Sequence, residues 1–343
     1  MKKFRSTILF SSLSAILALS ACGGGENNEE SAGDGGSSEE ETVIDVSLPL
    51  GAESQQGVGV LKFGEELEAL TDGRITIEPH YDNALGAERE VFEGMGTGTI
   101  DAGIISTGPM GGFIDEFLLF DLPYIFENHE HAHSFLDSEH GDELAKMVKE
   151  QQDVQVLAWM ENGFRHNSNS VRPVETPADL EGIDHRTQES EVQVDTWEAF
   201  GANATPMAWD EVYTALQQGV MESQENPLPT IYDVNFYEVQ DYLNLTQHVY
   251  HPAPLMMSNS LFESFSEEDQ ELIMEAAETA LPVQREESMA QEEEYLEELQ
   301  NEGMEVTEPD LDAFREAAEP VIEEWSSTVG EDLIDAARNY DYD

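Results

Sequence analysis

Residues 213–227 read YTALQQGVMESQENP. The stretch opens as a helix with an apolar stripe and closes in Gln224, Glu225 and Asn226 before Pro227. A strand is due here, yet three polar side chains in a row are costly in a core unless each finds a partner. Either no strand enters the core at this point, or something polar shares the space beside it. The flanking sequence decides between the two.

On both sides the chain alternates strands and helices. VIDVSLPL (43–50) reads as a strand, and residues 55–71 as a helix with Val60, Phe63, Leu67 and Leu70 on one face, ended by Thr71-Asp72-Gly73. ITIEPHY is a second strand, a helix covers 86–96, and DAGIIS is a short buried strand. VQVLAWM (154–160) is another, followed by strand-like stretches at 164–169 and 183–188 and helices at 190–200 and 209–218. Such alternation predicts an α/β architecture with mostly parallel sheets. Beyond residue 267 long helices take over. One stripe runs Leu272, Ile273, Ala276, Ala277, Ala280, Leu281 and continues past Pro282 to residue 301, with a kink expected at the proline. Another runs Leu311, Phe314, Ala317, Val321, Ile322, Trp325, and Gly330 is expected to split the last helix. A chain of 343 residues exceeds what one core usually serves, so two domains are expected.

Charge excludes several functions. The chain has 14 Lys and Arg against 74 Asp and Glu, a formal net charge of -60. Such a surface repels nucleic acid and anionic lipid. It also repels itself unless salt screens it, and the Debye length is roughly 3 Å in molar salt. A saline or alkaline medium is therefore expected. The N-terminus reads as a processing signal. MKKFR is followed by an apolar run too short for a comfortable membrane span, ending in Leu19-Ser20-Ala21-Cys22. This is the pattern of a bacterial lipobox, with residues 1–21 as signal peptide and Cys22, the one cysteine of the chain, as the lipidated residue. Residues 22–42 lack large apolar groups and read as a disordered acidic tether. An extracytoplasmic domain, lipid-anchored to the cell membrane, is the expectation.

With so few cations, their positions carry information. Arg165 in GFRHNSNS and Arg186 in GIDHRTQES both fall at strand ends, where open α/β sheets bind ligands. A guanidinium holds a carboxylate through two parallel hydrogen bonds. Two such arginines point to a small carboxylate, or else to pairing with the abundant acids of the chain. Asn226 offers donors and acceptors just before a rigid proline, which complements a carboxylate or hydroxyl; an asparagine before proline also serves in ordinary turns.

The sequence resembles the substrate-binding subunit of tripartite ATP-independent periplasmic (TRAP) transporters, of the DctP type, over residues 43–340. The resemblance is carried by TDGRITIEPHYDNALGAERE, GTIDAG, FDLPYIFENHEHAH, NGFRHNSNSVRPVETPADLEGIDHR, FGANATPMAWDEVYTALQQGVMESQENP, FYEVQDYLNLTQHVY and FSEEDQELI, in that order. It implies a periplasmic-binding-protein-like fold of two α/β domains, joined by crossing hinge strands and a long bridging helix. The expected boundaries are 43–163 with 252–291, and 164–251 with 292–340. It implies that Arg186 grips the ligand carboxylate two-pronged, with Arg165 near the same carboxylate. It further implies that Asn226 is the ligand-contacting asparagine, Trp209 an aromatic ring against the ligand, and Ser106 a variable cleft position. Polar groups then enter the core because a small polar molecule lies beside them. Two departures stand out: Asp184-His185 precedes the arginine where the family has a lysine and an aliphatic residue, and Glu222-Ser223 replaces Asp-Gly. The glycine exchange bears on the turn leading to Asn226.

The implied function is capture of a small organic acid, a C4-dicarboxylate or a sugar acid such as a uronate, for delivery to the small and large membrane subunits. A monomer without cofactor or metal is expected. The same fold also serves sensory lipoproteins, and the ANATPMAW stretch suits a compact zwitterion such as ectoine. An enzyme is not expected: there is no nucleophile elbow, phosphate loop or cysteine nucleophile. His129, His131 and His133 invite a metal, but positions i, i+2 and i+4 do not all share a helix face, so they read as the polar start of a surface helix.

Overall fold

The structure is a computed structural model and describes residues 41–342. The signal peptide, Cys22 and all but the end of the tether lie outside the described residues. From there the order is β1 (Thr42–Ser47), α1 (Gln55–Leu70), β2 (Ile75–His80), α2 (Glu88–Thr97), β3 (Ala102–Ile104), α3 (His129–Leu136), α4 (Glu139–Gln152) and β4 (Val154–Ala158). Next come β5 (Glu161–Asn169), β6 (Asp184–Thr187), α5 (Glu191–Ala199), β7 (Asn203–Pro206), α6 (Trp209–Gln217), β8 (Ser223–Asn226), α7 (Leu228–Asp233) and β9 (Tyr242–Pro252). The chain closes with β10 (Leu255–Ser258), α8 (Asn259–Phe262), α9 (Glu267–Asn301), β11 (Glu305–Thr307), α10 (Leu311–Val329) and α11 (Glu331–Arg338).

Local chemistry sets these elements. Ser54 caps α1 by accepting the Gly57 N–H, and Val60, Phe63 and Leu67 bury one face of it. Ser266 caps α9 in the same way, with Glu267, Glu268 and Asp269 favourably placed in its first turn. That helix runs on through Pro282, whose side chain is exposed, so water can take the carbonyl the ring leaves unbonded. Gly330, at φ +105°, separates α10 from α11 as anticipated.

Two sheets form. The first has the order β2-β1-β3-β10-β4, the second β11-β9-β5-β8-β6-β7. The parallel expectation holds for β1 with β2 and β3, and for β6 with β7 and β8. It fails where the chain crosses between sheets: β10 runs antiparallel to β3 and β4, and β5 antiparallel to β8 and β9. The reason is connectivity. β4 passes almost directly into β5, and β9 into β10. A strand arriving from the other sheet needs no helical crossover, which only parallel neighbours require. The long helix α9 packs on α1 and β4 of the first half and on β5 and α7 of the second.

The expectation of a surface helix at the histidines fails. Helix α3 is packed inward, with His131 only 1% exposed.

Candidate ligand-binding site

Strands β5, β8 and β6 lie side by side in the second sheet, His166 opposite Asn226 and Asn167 opposite Glu225. Strand β5 shifts register between Glu161 and Gly163, where Gly163 sits at φ +107°, and again between Arg165 and Asn167. Such bulges re-aim side chains. All of β8 is buried, so QEN does enter the core as a strand.

Its polar groups find protein partners. Gln224 donates to Ser168 Oγ at 2.7 Å and accepts from Asn226 Nδ2 at 2.6 Å. Glu225 receives a two-pronged hold from Arg165, whose Nη2 lies 2.7 Å from Oε1 and whose Nε donates to Oε2. Arg165 Nη2 also donates to the Asn226 side chain at 3.0 Å. Burial alone would raise the Glu225 carboxyl, but the Arg165 charge and the hydrogen bonds from Arg165 and His248 outweigh it and hold it well below the usual range. Glu225 was not singled out by sequence. The signal that could have found it is an acid beside an asparagine on an inward strand, with two arginines to be balanced nearby.

Arg186 is 1% exposed and donates from Nε and Nη2 to the Met207 carbonyl at 3.0 and 2.7 Å. Its guanidinium carbon lies 6.0 Å from the Trp209 ring centroid. Burial pulls its pKa down to about 10, Glu225 and Glu88 opposing, which leaves it charged at neutral pH. The two-pronged faces expected to meet a ligand are thus occupied by the protein, Arg165 by Glu225 and Arg186 by Met207. What each arginine retains is Nη1, buried and without a hydrogen-bond partner.

In front of this layer is a cavity of about 20 Å³, walled by Pro49, Leu50, Gln56, Glu88 and Ser106 from the first half and by Asn162, Gln188, Trp209, Asn226 and Thr230 from the second. Three of the five anticipated residues, Ser106, Trp209 and Asn226, line it; the two arginines do not. Gln56 Oε1 and Thr230 Oγ1 are also buried without partners. Buried polar atoms are normally paired, so this concentration of spare donors and acceptors marks a recognition surface. Glu88, missed from sequence, accepts the Ser106 N–H at 2.7 Å. Burial raises its pKa, with that hydrogen bond and both arginines pulling the other way.

The two departures from the family pattern are partners. His185 Nδ1 is 2.8 Å from Ser223 Oγ, and the two residues face each other across β6 and β8. His185 stacks on Trp197 at 3.7 Å, and burial drives its pKa down to about 3. Ser223 sits in strand β8 with an ordinary negative φ, so the exchange from glycine costs no strain.

The family described as bacterial extracellular solute-binding protein, family 7 (DctP) matches residues 47–328. The chain belongs to this family, the solute-binding proteins of TRAP transporters. It is 34% identical over 276 residues to the 2,3-diketo-L-gulonate-binding periplasmic protein YiaO of Escherichia coli K12, covering 79% of this chain and 84% of that one. A TRAP solute-binding protein of Polaromonas sp. JS666, solved bound to D-erythronate, superposes with a TM-score of 0.85 at 37% identity, over 87% of this chain and 99% of that chain. One from Roseobacter denitrificans OCh 114, with bound L-galactonate, gives 0.82 at 34% identity, over 87% and 98%.

One cluster of this DctP-family chain has the residue types of a catalytic triad. Ser106 Oγ lies 3.2 Å from His251 Nδ1, and His251 Nε2 lies 3.1 Å from Asp121. Acyl transfer also needs N–H donors where negative charge develops. Here the Ser106 N–H is bonded to the Glu88 carboxylate, the wrong charge for that purpose. Asp121 instead accepts from Ser190 and Gln193, each at 2.7 Å, which ties the first half to the second.

Proposed function

We propose that this protein captures a small hydroxylated monocarboxylic acid of the sugar-acid type between its two halves and hands it to the small and large TRAP membrane subunits. The observation that carries this is the charge arrangement. Glu225 offsets Arg165, while Arg186 keeps its charge and an unpartnered Nη1 behind a wall of amides and hydroxyls. That leaves one cation for one carboxylate, and neutral groups for hydroxyls. A C4-dicarboxylate would bring a second charge that Glu88 and Glu225 oppose. Charge-assisted hydrogen bonds contribute about 1.5–3 kcal/mol each, so a few of them with ring contacts reach roughly −8 kcal/mol, or micromolar binding. Relatives solved with D-erythronate and L-galactonate support the same class.

A cavity of about 20 Å³ holds on the order of one water. A sugar acid therefore enters only when the halves, 43–163 with 252–291 and 164–251 with 292–340, move apart about the β4–β5 and β9–β10 crossings. Cys22 supplies the lipid anchor, the chain works as a monomer, and the acidic surface suits a saline medium. No helix among the described residues is long and apolar enough to cross a membrane.

Thermal unfolding of the purified protein in molar salt tests the reading, with aldonates, uronates, keto acids, C4-dicarboxylates and ectoine as additives. A cognate ligand at a hundredfold excess over its Kd adds about 2.7 kcal/mol. A shift confined to sugar acids is expected. A shift with succinate-like acids alone, or with ectoine alone, would overturn the charge argument.

A further inference from the structure

We propose that His129, His133 and Glu161 form a binding site for one divalent transition-metal ion of the zinc type, apart from the ligand cavity. His129 and His133 are four residues apart on α3 and share a face. His131 turns away, its Nε2 2.8 Å from the Ala337 carbonyl and its ring stacked on Tyr342. His129 Nδ1 and His133 Nε2 converge on Glu161 Oε2 at 3.1 and 2.6 Å, and one ligand atom from each of the three residues falls within 4.8 Å of the others.

Two further observations point to an ion. Glu161 has a fully buried side chain, yet its Oε1 has no hydrogen-bond partner. A buried carboxylate oxygen left unpaired is costly, and a metal held by both carboxylate oxygens would satisfy it. The surroundings also have the form of a metal site's outer shell. His129 would ligate through Nδ1 while its Nε2, 2.9 Å from Glu292 Oε2, gives its hydrogen to a carboxylate, as ligating imidazoles usually do. Tyr250 donates its hydroxyl to Glu161 at 3.0 Å. Two imidazoles and one carboxylate suit zinc-type ions rather than calcium or magnesium, which prefer all-oxygen sets. Ligand atoms around a tetrahedral zinc stand roughly 3.3 Å apart, from bonds of about 2.0–2.1 Å, so the imidazoles would shift from their present contacts with Glu161 to take up an ion. His129 and His133 keep 20% and 14% of their side-chain surface exposed, which provides an entry path. The ion would join α3 to β5 where the chain crosses between sheets, and through Glu292 to α9.

The test uses chelator-stripped protein titrated with zinc chloride in excess magnesium, which competes zinc off surface carboxylates. Uptake is followed by equilibrium dialysis, and the imidazoles by nitrogen-15 NMR of the unmodified protein. One zinc per chain is expected, with the His129 and His133 ring signals shifting and those of His185 and His251 unmoved. Glu292→Gln should weaken the site about 10–100-fold, as loss of an outer-shell partner does. His133→Ala should weaken it at least that much. No stoichiometric uptake, or uptake that leaves the His129 and His133 signals in place, would overturn the proposal. In that case protons, not a metal, hold these side chains together.

Discussion

The two sheets solve the same burial problem with opposite chemistry. In the first, the buried strand residues are mostly apolar, among them Ile44, Val46, Ile104, Val154 and Leu255, with Ser47 and Ser258 as small exceptions. In the second, every residue of β5 and β8 is buried, yet Glu161, Arg165, Asn167, Ser168, Gln224, Glu225 and Asn226 are among them. Apolar burial is non-directional and degrades gradually. A buried polar network is directional, and losing one member leaves another unpaired in a poorly screening medium. The first sheet should therefore forgive small changes that the second does not.

The sharpest test of that contrast is Glu225→Gln, which keeps shape and removes one charge. It strands Arg165 in the core and should cost about 3–5 kcal/mol in denaturant unfolding. A cost below about 1 kcal/mol would mean that Arg165 is relieved some other way. Next is Arg186→Ala, whose loss of a charge-assisted contact should weaken the best-binding sugar acid by more than roughly tenfold in calorimetric titration. Unchanged affinity would remove Arg186 from the site.

A third effect is acid sensitivity of the buried histidines in the polar sheet. Burial depresses His185 from its ordinary 6.5 to about 3, so the unfolded chain takes up this proton first. Its contribution is complete above pH 6.5 and is lost as pH falls towards 3, with a slope up to about 1.4 kcal/mol per unit. His248 and His251 are depressed by burial too, so His185→Leu should flatten stability against pH only in part. In the first sheet, Ile104→Val should cost about 0.5–1.5 kcal/mol with no change in this pH profile. Smallest of all, Lys146→Gln breaks an exposed pair with Glu150 and should leave the unfolding midpoint within error.

Much of this was legible in sequence because it is local. The stripes of Val60, Phe63 and Leu67 and of Ile273, Ala276 and Ala277 announce helices, Gly330 a helix end, and the alternation of strand and helix the α/β class. Few cations in an acidic chain made Arg165 and Arg186 conspicuous. Less legible was where their hydrogen bonds go. Residues 165 and 225 are 60 apart in the chain, and only the β5–β8 register makes them partners. The antiparallel entries of β5 and β10 escaped for the same reason: alternation reports element order, not which sheet a strand joins.

By itself the sequence determined where the main amphipathic helices run, the acidic character and the family, since periodicity, composition and ordered motifs are properties of neighbouring residues. Tertiary structure alone decided that Glu225 occupies Arg165, that His185 and Ser223 complete each other, and that two of three clustered histidines meet a buried glutamate. Those are contacts between distant segments, set by packing and strand register, which no local pattern encodes.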